Sequence, residues 1–153
     1  MAVWITDRTS SDIERVLQLF EKAKSKTLTP DEQSEWNAGM KGALSWKDYN
    51  RIESGIAEIA KIIGAKVSVK TNWDENGYLT ATDAARWIYN VKSIRALLSG
   101  TAYTPHTPDS IVSLSFSLMN QIETILFDVE SLAKDYLVYC SEPICGGEPL
   151  YGF

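Results

Sequence analysis

Apolar residues recur at steps of three and four over most of the chain, the spacing of amphipathic helices. Ile13, Val16, Leu17, Phe20 and Ala23 form the first stripe, behind cap-type residues at Thr9, Ser10, Ser11 and Asp12. They predict a helix between Asp7 and Lys26. Thr29-Pro30-Asp31-Glu32 then offers a capping hydroxyl, a proline at the first helical position and two acids where the helix dipole favours negative charge. A short helix should run from there towards Ala38 and stop at Gly39. Ser45 opens the next helix, in which Tyr49, Ile52, Ile56, Ile59 and Ile63 follow one another until Gly64 ends it.

Thr82-Asp83 begins a third long helix with Ala84, Trp87, Val91, Ile94 and Leu98 on one face. The two prolines of the linker Thr101 to Pro108 cannot continue it. The last and longest helix is expected from about Ser110 to about Tyr139. Its seam is Met119, Ile122, Leu126, Val129, Ala133 and Tyr136, and Phe116, Ile125, Phe127 and Leu132 add a second apolar face. Between the middle helices the period changes. Val67 and Val69 alternate with polar neighbours and Trp73-Asp74-Glu75-Asn76-Gly77 reads as a turn, so a short strand or hairpin is expected near residues 66–78.

The expected fold is therefore all-α: a bundle of long amphipathic helices with that one extended interruption and an extended C-terminal arm. Residues 1–64 form an N-terminal helical region, 65–108 a central linker and third long helix, 109–140 the long C-terminal helix and 141–153 a docking arm. They make either one compact unit or two loosely joined lobes. A helix apolar on two faces must be surrounded, by its own bundle or by other copies of the chain. The seam residues Tyr49, Ile52, Ile56, Ile59, Met119, Ile122, Leu126 and Val129 are the candidates for self-association. Ser113 and Ser117, four apart, would let a neighbouring backbone come close.

Two internal echoes sharpen the picture. Trp46 to Glu53 aligns with Phe116 to Glu123, matching large apolar residues and also Asn50 with Asn120 and Glu53 with Glu123. Two amphipathic helices of like composition would match in their apolar positions without matching these polar ones. In each copy the Asn and Glu lie three apart on one helical face, placed to bond each other or a neighbouring backbone. The second echo is terminal: Ser141-Glu142-Pro143-Ile144-Cys145-Gly146 is followed directly by Gly147-Glu148-Pro149-Leu150-Tyr151-Gly152. Its glycines and prolines exclude helix, and Ile144, Leu150, Tyr151 and Phe153 are the candidates for docking as an added strand on a partner, against the alternative of a frayed end.

Composition narrows the function. The net charge of −5 comes from 20 acidic and 15 basic residues without a basic run, so a nucleic-acid partner is not expected. The N-terminus Met1-Ala2-Val3-Trp4 meets Asp7 and Arg8 too soon for an export signal or a spanning helix, and a cytoplasmic site of synthesis without membrane insertion is expected. Cys140 and Cys145 are the only cysteines and read as reduced thiols. The single histidine, His106, has no second ligand at metal spacing. No Ser or Cys nucleophile has a base and an orienting group, and no glycine-rich phosphate loop occurs. Glu14, Glu21 and Glu58 sit beside lysines and arginines as solvated surface. Asp31, Glu32 and Glu35 suit the start of their helix. No enzyme activity, cofactor or metal is expected. Trp46, Tyr49, Trp87 and Tyr136 keep helical register and read as core, whereas Trp4 and Trp73 fall outside the strong helices and read as exposed contacts.

Several segments carry a resemblance. Trp4-Ile5-Thr6-Asp7-Arg8, Trp36 to Leu44, Asp48-Tyr49-Asn50-Arg51-Ile52-Glu53, Thr71-Asn72-Trp73, Thr80 to Leu98 and Asn120-Gln121-Ile122-Glu123 resemble, in that order, minor tail structural proteins of phages and prophages of Firmicutes. The resemblance implies a particle component assembled in the bacterial cytoplasm, at the tail tip, baseplate or fibre attachment region, with other tail proteins as partners. The duplicated arm and the helical seams add the expectation of a homo-oligomer, a ring or trimer. A module gripping glycans or a receptor through exposed aromatics is the alternative.

Overall fold

The computed structural model describes residues 3–98, 104–111 and 115–141, with side chains up to Asp135 in the last helix. Five helices are present: α1 (Ser10–Lys24), α2 (Pro30–Ala38), α3 (Trp46–Ile63), α4 (Ala81–Leu97) and α5 (Phe116–Ser141). The fold class is all-α, as the periodicity predicts.

Local chemistry sets the helix starts. Thr9, Thr29 and Thr80 each accept from the backbone N–H three residues on, and the acid at that position reaches back to the threonine N–H. Each box thereby satisfies two of the donors that a helix start leaves unpaired. Asp48 likewise accepts from the N–H and Oγ of Ser45 ahead of α3. The third long helix begins after Thr80, two residues before the expected start, because Thr80 rather than Thr82 finds its acid, Asp83, at the right offset. Gly64 closes α3 in the left-handed conformation.

α3, α4 and α5 pack on one another around a single core. Tyr49, Ile52, Ile56, Ile59, Met119, Ile122, Leu126 and Val129 are all 8% exposed or less and line that core together with Trp73, Trp87, Val91 and Ile94. Of the two ways to cover the seams, by the chain's own bundle or by other copies, these side chains are covered by the bundle. The period is satisfied inside one chain, and these eight side chains have no face left for a sister chain. The core draws on residues from all three of the expected regions 1–64, 65–108 and 109–140. Ile125 joins it, Leu132 is half-buried, and Phe127 is largely exposed.

α1 and α2 contribute no residue to that core. They form an outer pair joined by Arg15 to Glu35 at 2.6 Å, Lys22 to Glu32 at 2.5 Å and a tilted Phe20–Trp36 ring contact. Leu17 and Phe20, expected on the buried stripe of α1, are exposed, and Leu19 is the buried residue instead.

No strand forms among the described residues of 65–80, which corrects the expected strand or hairpin. The segment is extended, with Ala65, Val67 and Val69 turned towards the core and Lys66, Ser68 and Lys70 outwards. Its partners are side chains rather than a second strand. The candidate docking residues Ile144, Leu150, Tyr151 and Phe153, the Cys140 and Tyr136 side chains, and Ser113 lie outside the described residues.

Candidate functional site

The matched Asn and Glu of α3 and α5 each grip an extended segment in the same way. An extended backbone exposes N–H and C=O groups that need partners when half-buried. On α3, the Asn50 side-chain amide exchanges two hydrogen bonds with Trp73, accepting from its N–H at 3.0 Å and donating to its C=O at 2.9 Å. Glu53, one turn further, accepts from the Lys70 N–H at 2.7 Å. On α5, Asn120 accepts from the Arg8 N–H at 3.1 Å and donates to its C=O at 2.9 Å, and Glu123 accepts from the Ile5 N–H at 2.7 Å. In both cases the gripped residues are three apart, matching the three-residue step between Asn and Glu on the helix. Asn90 on α4 makes the two-bond exchange a third time, with Ser68. The carboxamide mimics a peptide group, so a helix edge does the work of a neighbouring β-strand.

Each glutamate is fully buried and would be costly there as an unpaired anion. Glu53 receives both guanidinium nitrogens of Arg86, at 2.7 and 2.9 Å, and the indole N–H groups of Trp73 and Trp87 at 3.2 and 2.9 Å. Glu123 receives both guanidinium nitrogens of Arg51, at 2.6 and 3.0 Å, and Arg8 at 2.7 Å. Such bidentate Arg–carboxylate forks are the strongest hydrogen-bonded pairs available to side chains. No buried side-chain polar atom among the described residues lacks a partner. Around the Glu53 bracket, Tyr49 meets Trp73 in a tilted and Trp87 in an edge-to-face contact, with ring centroids at 5.0 and 5.9 Å, and Lys70 Nζ sits 3.7 Å from the Trp73 ring centroid.

The arginines come from one local device used twice. Arg51 follows Asp48 by three residues and the Ser45 cap by six. Arg86 follows Asp83 and Thr80 in the same steps. Each cap acid also pairs with its arginine, at 3.1 and 2.9 Å, aiming the guanidinium across the bundle. Burial pulls the Arg51 guanidinium down in pKa, but the Glu123 carboxylate outweighs it and the net shift is upward. Burial raises Asp83, yet its bonds from Thr80 and the charge of Arg86 bring it below the ordinary value. Thr9-x-x-Asp12-x-x-Arg15 on α1 repeats the pattern, but Arg15 meets Glu35 at the surface, where both side chains are about 40% exposed.

The aromatic contacts expected at Trp4 and Trp73 do not survive. Trp73 is 4% exposed and inside the core, and Trp4 is half-buried with its indole N–H donated to Glu130 at 2.6 Å. Trp46, expected in the core, lies at the surface instead. Among the described residues the aromatics that stand furthest out are Tyr78 and Tyr89, at 81% and 64% exposed. An open cleft of about 530 Å³ runs beside the N-terminal arm, residues 3–8, lined by Trp4, Asp7, Met40, Lys41, Lys47 and Asp48 among others. Asp7 and Lys41 pair at 2.8 Å within it. No group of three metal-ligating side chains, and no helix long and apolar enough to cross a membrane, occurs among the described residues.

Asn50, Glu53, Asn120 and Glu123 were nominated by the sequence as seam residues that could bond a neighbouring backbone. Their arginines were not: the Ser/Thr-x-x-Asp-x-x-Arg spacing at residues 45–51 and 80–86 is the signal that finds Arg51 and Arg86, while Arg8 carries no such signal. Comparison of the chain with protein-family models, characterised proteins and solved structures gave no match.

Proposed function

We propose that the chain is a non-enzymatic structural component of a phage or phage-like particle tail, at the tip, baseplate or fibre attachment region, where it joins neighbouring tail proteins and associates with its own copies. The observation that supports this reading most is where its motifs meet. The segments that resemble phage tail proteins are scattered from Trp4 to Glu123 in sequence, yet most of them converge on the two brackets. Trp4 to Arg8 is the arm gripped by α5, and Lys41 accepts from the Arg8 guanidinium through its C=O. Asp48 to Glu53 and Asn120 to Glu123 are the gripping faces, and Trp73 is gripped in turn. Motifs committed to holding backbone against helix suit a part whose task is shape.

A glycan-binding module is the second reading, and it now has to rely on Tyr78, Tyr89 and other surface aromatics rather than Trp4 and Trp73. Mass-spectrometric inventory of purified particles, with cross-links mapped onto this chain, tests the proposal. The chain should be present and linked to other tail proteins. Its absence from particles, together with sugar-dependent binding on a glycan array, would replace the proposal with the second reading.

A further inference from the structure

The α5 groove that receives residues 3–8 fits a second occupant of identical chemistry, the same arm of another copy. We propose that copies of this chain associate by exchanging their N-terminal unit, the arm with α1 and α2, so that the arm of one copy fills the Asn120–Glu123 bracket of the next. The inference deepens the self-association part of the reading above and rests on it. Four observations point the same way.

The helical seams are filled within one chain, so association through them would require unfolding the core. The arm, by contrast, is held to the α3–α5 body by one side chain packed against the core, Trp4, and by polar contacts: Trp4 to Glu130, the Ile5 N–H and the Arg8 side chain to Glu123, the Arg8 backbone to Asn120, and the Val3 C=O to Arg51. Each of these forms equally well from a sister chain, and the Arg8 guanidinium and Trp4 indole N–H complement the buried carboxylates Glu123 and Glu130. Next, neither α1 nor α2 enters the core, and two ion pairs and a ring contact join the two to each other.

The connection to α3 supplies the hinge. Between Ala38 and Trp46 the backbone is non-helical, Gly39 holds φ at +95° and Gly42 lies against the Asp12 backbone. The remaining ties of the arm, Asp7 to Lys41 and Arg8 to the Lys41 C=O, bind it to this hinge rather than to α5. The Glu53 bracket cannot exchange in this way, because its segment is enclosed between α3 and α4. Reciprocal exchange closes a dimer and serial exchange closes a ring.

Two full-length variants, each also carrying Cys140→Ser and Cys145→Ser, test this: one with Trp4→Cys, the other with Glu130→Cys. After co-expression and treatment with a short bismaleimide, exchange gives a covalent product at twice the chain mass that neither variant gives alone. Isotope-filtered NOE spectra of wild-type chain refolded as an equal mixture of labelled and unlabelled copies need no substitution, and should show contacts between Trp4 of one copy and Glu130 of another. A monomer by light scattering would overturn exchange. So would an oligomer showing neither the cross-link nor the intermolecular contact, although that oligomer would leave the tail reading standing.

Discussion

The Glu53 and Glu123 brackets use the same residues at the same spacing and differ in how the chain reaches them. Glu53 is closed locally: its partners lie 17 to 34 residues away. Besides one arginine, they include two indoles packed at an angle against Tyr49. Glu123 is closed by the far end of the chain, 115 and 118 residues away, and by two arginines without an indole. Bringing segments together over that longer separation costs roughly 1.5 kcal/mol more in loop closure than over about twenty residues. The first bracket is thus a local fold element filled out by aromatic packing. The second is a long-range clasp that relies on charge, and it is the one whose occupant can come from another chain.

The largest expected effect comes from removing either glutamate. Glu123→Ala leaves Arg8, only 2% exposed in its side chain, without its anion and beside Arg51, which keeps Asp48, and should lose about 3–5 kcal/mol in chemical denaturation. Glu53→Ala should fall at the lower end of that range, since its one arginine, Arg86, keeps Asp83 and is less buried than Arg8. A Glu123→Ala chain within about 1 kcal/mol of the parent would break the comparison.

Gly42→Ala comes next and bears on the clasp alone. A Cβ there would lie 2.3 Å from the Asp12 carbonyl oxygen, a backbone atom, so the start of α1 must move away from the hinge. The expected loss is about 1–3 kcal/mol, read from the thermal midpoint, with the Glu53 bracket intact. Asn50→Ala and Asn120→Ala each leave one N–H and one C=O of a gripped residue unpaired and should cost about 1–3 kcal/mol apiece. If the brackets are equivalent in design, the two losses should be of similar size.

Acid should act more gradually. Asp83 and Glu130 both titrate below their ordinary values of 3.8 and 4.5 in the folded chain. In each case burial pushes upward and is outweighed, by Thr80 and Arg86 for Asp83 and by Trp4 and Lys134 for Glu130. A lowered folded pKa means stability that is fully present above the ordinary value and is lost as pH falls through the folded one. Denaturation midpoints should therefore be level near neutrality and decline below about pH 4.5. The smallest effect is expected for Arg15→Ala, which removes the surface copy of the cap-acid-arginine device. With both partners about 40% exposed, it should change stability by no more than about 1 kcal/mol.

Much of this architecture is legible in the sequence because helices announce themselves through apolar period and cap chemistry. Thr9, Thr29, Ser45 and Gly64 mark their boundaries, and Ile52, Ile56, Met119 and Ile122 mark the core. Periodicity does not say whether an apolar seam is closed by the same chain, which is why those residues read equally well as contacts between copies. The pattern at Val67 and Val69 reports an extended backbone correctly but says nothing of what pairs with it. A side-chain amide on another helix leaves no trace in the segment itself. Trp73 misled for a related reason: it sits beside a turn, yet its ring is drawn inwards by Glu53 and Tyr49. The echoed Asn and Glu were visible as an anomaly, and only the fold shows which backbones they hold.

Amide hydrogen exchange reads most directly whether helix side chains replace a β-strand. The N–H groups of Arg8, Ile5, Lys70 and Trp73 lie outside every helix and strand. They should nevertheless exchange orders of magnitude more slowly than the neighbouring Thr71 and Asn72, and Asn50→Ala should release Trp73 while leaving Arg8 protected. Exchange of all four at the rate of an open loop in the parent chain would contradict the brackets outright.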